Sequence, residues 1–516
     1  MIRAYPGQAS VWPGGTLVLH VSTDSPRFRV AFQRWADGPS LLLRSDWLPG
    51  VQAGEGSADE DWSWPAYAFA IPADWPSGVV IAALEEEGRK RAFDLGRDQG
   101  AALFVVRGRG QGLLYKLPLA TYHAYNCSGG GCFYFNPPRS AEPAGARVSL
   151  RRPGGGIGGA VWGAPDHYDA ASPRQSFAHW DARFIGWLAR NGYDADFCTD
   201  LDIHADPGLL RGYRLLVSSG HDEYWSEATR DAVEDFAAAG GNLAFFGANL
   251  CWWRIHLVDD GAAMVCHQGG PQGARDHWWP ATGVNRPEDS LGGVSYRHGG
   301  GWWDGPRTTG GYLVQQPEHW VFAGTGLERG EALGRDTWPP LVGYECDGAP
   351  LDAAITLDAS GMLHASGTLD ASGTLDPAHR EEALDSMDVL PSHAGLRLSP
   401  CAAEGGTPPG YQLLAAAPLG AGWQELPPRE GHAAGQGLHA ATLGLFRHPG
   451  KGTGAGGTVF SAGTTDWAQV LGTARDRRVE QITRNVLDAL LRPSSSAVAP
   501  SVSNLVSPAL ASAIAP

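Results

Sequence analysis

"RLLVSSGHDEYWSEATRDAVEDFAAAGGNLAFFGANLCWW", from Arg214 to Trp253, decides the fold. Read from Tyr213, YRLLVSSG is a short apolar run of the length of a buried strand. Ser226 then stands where a helix N-cap belongs, ahead of EATRDAVEDFAAAGG. The early acids of that segment suit the positive end of a helix dipole, and its paired glycines close it. NLAFFGAN is a second strand. Strand, helix and strand in this order specify a parallel sheet with a right-handed crossover. Ligands bind such sheets at the carboxyl ends of the strands. SSGHDE lies at one such end and GAN at the next. His221 and Glu223, two positions apart in an extended or looped backbone, can face the same way there, one binding a metal while the other moves a proton. The alternative for His221-Asp222-Glu223 is a polar turn, because acids also collect where helices begin.

Outward from this unit, SFAHWDARFIGWLARNGY places Phe177, Trp180, Phe184, Trp187 and Leu188 on one face of an expected helix that Gly192 ends. GGTVFSAGTTDW returns as an α/β strand, and RDRRVEQITRNVLDALL is a final helix. Upstream, GGTLVLHVST, RFRVAFQRW, AYAFAIP, GVVIAALEEEG and ALFVVRG are short runs separated by turn residues, the pattern of a β-sandwich. The 516 residues exceed one ordinary core. The expected organisation is multidomain α/β plus β. Residues 1–110 form a β-sandwich, 111–290 the first part of a parallel α/β domain, 291–454 a β-rich insertion, 455–492 the return strand and helix, and 493–516 a disordered tail rich in Ser, Ala and Pro. Within the insertion, LDASGMLHASGTLDASGTLD, starting at Leu357, is a low-complexity tandem repeat read as an elongated loop or hairpin.

The formal charge of −16, with lysines only at positions 90, 116 and 451, argues against a nucleic-acid partner. No stretch is apolar for long enough to span a bilayer, and MIRAYPGQASVWPGG lacks the pattern of a signal peptide, so the expected location is the cytoplasm. Seven scattered cysteines read as reduced thiols. Cys127 and Cys132 flank SGGG and are close enough in sequence to meet.

TYHAYNCSGGGCFYF supplies Tyr122, His123, Tyr125 and Tyr134. These aromatics either pack a domain junction or, through a glycine-rich loop, bring two phenols to a hard metal ion. Asn249 ends FFGAN as a turn amide or an orienting donor. Glu345 in GYECDG is an acid after an apolar run, ordinarily a hairpin feature. A cysteine nucleophile at an amidotransferase-type elbow is the rival reading, but Cys251 in GANLCWW lacks the Gly-x-Cys-x-Gly setting.

Together, TYHAYN…GGGCFY, SSGHDEYW, GGNLAFFGAN, GYECDG and GTTDW resemble the large (beta) subunit family of N,N-dimethylformamidase. The resemblance implies a mononuclear ferric iron, Fe(III), held by two tyrosines and a glutamate in a glutamine-amidotransferase-like domain. Carried over motif by motif, the ligands are Tyr125, Tyr134 and Glu223, with Tyr122 the alternative to Tyr125. His221 becomes the acid/base group, Asn249 a substrate-orienting amide and Glu345 a second acid near the substrate. The implied reaction is hydrolysis of a small amide-type C–N bond by metal-activated water, inside a wall that includes Tyr224, Trp225, Trp252 and Trp253. A small partner subunit or a homo-oligomer belongs to the same expectation. The loop between the two tyrosines is much shorter than in that family, and Cys132 and Phe133 replace its usual residues, which puts dimethylformamide itself in doubt as substrate. The alternative is an inactive small-ligand-binding or scaffold protein on the same fold.

Overall fold

The computed structural model describes residues 1–492 apart from 91–92, 98, 111, 139–144, 270–274, 308–310, 356–395, 401–405, 421, 428–437, 453 and 474. The LDASG repeat and the tail beyond residue 492 therefore lie outside the described residues. The described chain is mixed α/β with many strands and few helices.

At the centre is a nine-stranded sheet. Asp196–Thr199, Gly112–Leu117, Tyr213–His221, Asn242–Ala248 and Thr458–Ser461 lie side by side and parallel. Ala440–Arg447, Gln412–Pro418, Tyr312–Val314 and Ala332–Leu333 continue the sheet in antiparallel pairs. Four strands from the stretch 291–454 thus join the same sheet as the strand–helix–strand unit.

Each central strand is apolar on both faces, as a covered parallel sheet requires. Leu215 and Val217 point into one core, and Leu216 between them points into another. The first core is roofed by helices Asp181–Arg190 and Arg477–Leu491, through Phe184, Ile185, Trp187, Ile482 and Val486. The second is roofed by Glu227–Ala238 through Val233 and Phe236. Ser226 caps that helix, its Oγ accepting from Thr229 N at 3.2 Å.

The helix expected from Phe177 onward begins only at Asp181. Phe177 and Trp180 are fully buried but sit in the turn before it, where Phe177 O accepts from Ala182 N. The apolar spacing continues through that turn, so periodicity alone extends the helix too far. Asp181 marks its true start because its carboxylate is drawn into the core by the hydroxyls of Tyr115 and Tyr122.

The N-terminal region contains a three-stranded antiparallel sheet (Ile2–Pro6, Thr16–Thr23, Ala66–Ala70) and a larger sheet built on Arg27–Ala36, Gly78–Glu86 and Ala101–Val106. Leu17, Leu19 and Val21 from the first share one apolar cluster with Phe28, Val30 and Phe104 from the second.

Candidate functional site

The central strands end where the polar residues gather. His221 closes its strand opposite Ala248, the last residue of the next. One residue earlier, Gly220 has φ +71°, and a Cβ there would lie 2.5 Å from the Trp180 Cβ, so only glycine lets the strand turn at this point. Beyond it, the N–H groups of Glu223 and Tyr224 both donate to Thr121 Oγ (3.0 and 3.2 Å), and Glu223 O accepts from Trp253 N. Asp222 faces the opposite way, into a fully buried ion pair with Lys116 at 2.6 Å. The HDE segment is therefore a fixed support for Glu223 rather than a solvated turn.

Two phenols meet that carboxylate. Tyr125, at the C-cap of the short helix Leu119–Ala124, donates to Glu223 Oε2 at 2.8 Å. Tyr134, on the following loop, donates to Oε1 at 2.7 Å and accepts from the Tyr224 hydroxyl at 2.5 Å. The rings of Tyr125 and Tyr134 stack with centroids 4.4 Å apart. Tyr122 does not join them; its hydroxyl is bonded to Asp181 on the other side of the helix. Burial, reinforced by the Glu223 charge, holds both phenols well above their ordinary pKa. Burial also pushes Glu223 above the usual carboxylate range; His221 opposes that shift and Glu345 adds to it.

His221 lies behind Glu223. Its Nε2 is 2.6 Å from Glu345 Oε2 and 3.4 Å from Glu223 Oε2, and its Nδ1 is 2.7 Å from Gln175 Oε1. Burial alone lowers the imidazole pKa, but the Glu345 charge, with Glu223 and Asp222 behind it, raises it overall. Asn249 Nδ2 stands 3.1 Å from both His221 Nε2 and Glu345 Oε2, while its Oδ1 is buried without a hydrogen-bond partner among the described residues. The left-handed backbone at Asn249 (φ +50°) is secured by Asp347, whose two oxygens accept from Asn249 N and Leu250 N. Glu345 itself is far from the other groups in sequence. It begins the strand Glu345–Gly348, paired with Ser295–Gly301, and its backbone is bonded to Thr465 of the GTTDW segment.

Tyr125, Tyr134, Glu223, Asn249 and Glu345 all line one cavity of about 1250 Å³, with Trp252, Trp253, Trp279 and Trp303 among its other walls. That is larger than ordinary small-ligand pockets, which span roughly 300–1,000 Å³. His221 is fully buried and does not line it, so Glu345 and Asn249 stand between the imidazole and the cavity. Tyr224 and Trp225 likewise lie outside the wall, Tyr224 bonded to Tyr134 and Trp225 packed against Lys116 at 4.4 Å. Cys251 is fully buried, and burial pushes its thiol up to about 12, which removes the cysteine-nucleophile reading.

All six site residues named from the sequence thus fall within one connected cluster. Gln175, Thr121, Lys116 and Asp347 also orient that cluster; Thr121 and Asp347 fall inside TYHAYN and GYECDG without a residue-level signal of that role, and Gln175 and Lys116 lie outside those motifs. Gln175 is marked only by its backbone, a left-handed φ of +61° that the sequence does not announce.

Known proteins share this sequence pattern. The family described as "N,N-dimethylformamidase beta subunit-like, C-terminal" matches residues 31–481. The N,N-dimethylformamidase beta subunit of an Alcaligenes species is 37% identical over 79 residues, 15% of this chain and 10% of that protein. The beta subunit from Paracoccus aminophilus is 36% identical over 78 residues, again 15% of this chain and 10% of its own length. The close similarity to these two relatives is thus confined to about a tenth of each, whereas the family match runs through the phenols, the HDE segment, Asn249 and Glu345. On that match, the chain belongs to the N,N-dimethylformamidase beta subunit-like family.

Proposed function

We propose that this protein is a hydrolase of a small amide-type C–N bond, with Tyr125, Tyr134 and Glu223 holding a mononuclear ferric ion. The observation that carries the reading is the convergence of two phenols, Tyr125 buried and Tyr134 partly exposed, on one buried carboxylate at the wall of an aromatic cavity, beside the Glu345–His221 pair. The donor set fits such an ion. Three hard oxygen donors, two phenols and a carboxylate, gather at hydrogen-bond distance on the cavity wall, the donor type that suits a hard trivalent cation. The nearby buried lysine, Lys116, is spent on Asp222. When bound, such an ion supplies Lewis acidity to a carbonyl or water oxygen beside it.

The chain's own residues supply the rest. Glu345 faces the cavity and touches His221 Nε2, so the two form a proton reservoir: Glu345 takes the proton of the attacking water, shares it with the imidazole and returns it to the departing nitrogen. Gln175 accepts from Nδ1–H and keeps Nε2 turned toward that exchange. Asn249 fixes the polar end of the substrate, and the tryptophan walls exclude bulk water. The strand order and strand-end placement support a glutamine-amidotransferase-like reading of the central sheet, with a different chemistry grafted on it. A small partner subunit belongs to the same proposal, since the relatives are named beta subunits.

Elemental analysis and visible spectra of the wild type beside Glu223→Ala test the reading. Near-stoichiometric iron and a tyrosinate-to-iron charge-transfer band, both lost in the variant, together with amine release from small amides, are expected. No bound metal after expression with ample iron, or full turnover by metal-free protein, sinks it.

A further inference from the structure

The loop that joins the two phenols carries a pair of thiols that the reaction does not use. Cys127 Sγ and Cys132 Sγ are 2.9 Å apart. Both sides of the loop are held in place independently of that contact. Cys127 N donates to Ala160 O at 2.6 Å, while Cys132 N donates to Phe135 O and Phe133 N to Ala124 O. Arg152, fully buried, donates to the carbonyls of Asn126 and Ser128 at 2.8 and 2.7 Å. Gly129 and Gly130, both with φ above +80°, make the reversal between the thiols. The framework therefore presents the two sulfurs to each other, and only a small approach separates contact from a bond. Their accessibility differs: Cys127 is partly exposed and Cys132 is buried. The other described cysteines, Cys198, Cys251, Cys266 and Cys346, are all buried and have no sulfur neighbour at hydrogen-bond distance among the described residues.

We propose that Cys127 and Cys132 form a reversible intrachain disulfide by exchange with a low-molecular-weight disulfide, and that this bond staples the loop carrying Tyr134. Cys127, the reachable sulfur, gives up its proton and attacks one sulfur of the small disulfide. The S–S bond of the small molecule breaks and one small thiolate leaves, taking up a proton. Cys132 then loses its proton and attacks the Cys127 sulfur, forming the protein disulfide and expelling the second small thiolate, which is protonated in turn. Two protein thiols are oxidised and one small disulfide is reduced to two small thiols. Tyr134 is two residues beyond Cys132, so the bond fixes the segment that brings its hydroxyl to Glu223. The proposal stands whether or not the site holds iron.

The test equilibrates the full-length protein with oxidised glutathione, quenches with acid, and alkylates under denaturing conditions. The tryptic peptide from Leu117 to Arg139 contains Cys127 and Cys132 and no other cysteine. It is expected to lose both alkylation sites and two hydrogens, and to regain them after a small thiol is added. Cys132→Ser should stop at a glutathione adduct on Cys127, while Cys127→Ser should leave Cys132 unmodified. Hydrogen exchange of the amides from Phe133 to Phe135 should slow in the oxidised protein. Full alkylation of both cysteines after equilibration, or pairing of either with a different cysteine, overturns the disulfide. A disulfide that leaves those amides exchanging at the reduced rate overturns the staple.

Discussion

Lys116→Met isolates the charge that holds the HDE segment. Lys116 Nζ meets both oxygens of Asp222, at 2.7 and 2.6 Å, and lies 4.4 Å over the Trp225 ring. Neither side chain reaches solvent to any useful extent, at 0% and 2% exposure. Methionine fills nearly the same volume, so the substitution leaves the packing and removes the counter-charge. Among the described residues, Asp222 then keeps only the Trp225 Nε1 donor at 2.9 Å. Stranding one member of a buried pair costs roughly 3–5 kcal/mol, most of it the uncompensated charge rather than the lost contact. If that attribution is right, adding Asp222→Asn restores most of the loss, because the amide still accepts from Trp225 and carries no charge. Equilibrium urea unfolding followed by tryptophan fluorescence measures the three variants. A loss below about 1 kcal/mol in Lys116→Met, or a double variant no more stable than the single one, would refute the reasoning and mean that water reaches Asp222.

Gln175→Leu removes the acceptor of His221 Nδ1, and losing a buried hydrogen bond of about 1–3 kcal/mol should lower amide turnover roughly 5- to 150-fold while leaving iron content unchanged; unchanged turnover means that Gln175 does not orient the imidazole. Gly220→Ala forces a left-handed alanine against Trp180 and should cost roughly 2–5 kcal/mol by thermal or urea unfolding. Asp181 gives a pH signature: burial raises its pKa from 3.8 to about 7 against the opposing hydrogen bonds of Tyr122 and Tyr115. Between those values the folded state keeps a proton that the unfolded state releases, so this group's stabilisation is complete below pH 3.8 and is lost as pH rises toward about 7. Asp181→Asn, which cannot ionise, should flatten the stability profile across that window by up to about 1.4 kcal/mol per pH unit; an identical slope in the variant shows that Asp181 is not its source.

The parallel unit was legible because its signals are local. An apolar run, a serine cap, early acids and closing glycines sit within forty residues or so, and each has one physical reading. The strand ends followed from that unit, and with them the positions of His221, Glu223 and Asn249. Motif matching favoured Tyr125 over Tyr122, but nothing in the spacing separates them, since both precede the same glycine-rich loop. A single helical turn, Leu119–Ala124, sends the Tyr122 hydroxyl to Asp181 and leaves Tyr125 at its end with its hydroxyl on Glu223. Glu345 reads locally as a hairpin acid. Only the pairing of its strand with Ser295–Gly301, and the grip of Thr465 on its backbone, carry it to His221.

The charges of the assembled cluster support the metal reading in a way no segment does alone. Asp222, Glu223, Glu345 and Asp347 are four buried acids within one connected group, and Asp347 is held by the N–H groups of Asn249 and Leu250. Asp222 has Lys116 as its cation, and Glu345 has the His221 imidazole at 2.6 Å. Among the described residues, Glu223 has no basic partner closer than that shared imidazole at 3.4 Å, and its near neighbours are two phenols. A buried carboxylate left this way is costly unless it is protonated or a cation arrives, and the two phenol hydroxyls that donate to it offset only part of that cost. A merely structural carboxylate would be kept for the two phenol hydrogen bonds it accepts, which an amide of the same shape, with one acceptor oxygen, cannot both accept. Glu223→Gln separates the two cases: it should raise unfolding stability in metal-free protein while abolishing iron binding, whereas a structural role predicts a loss of stability with no change in metal content.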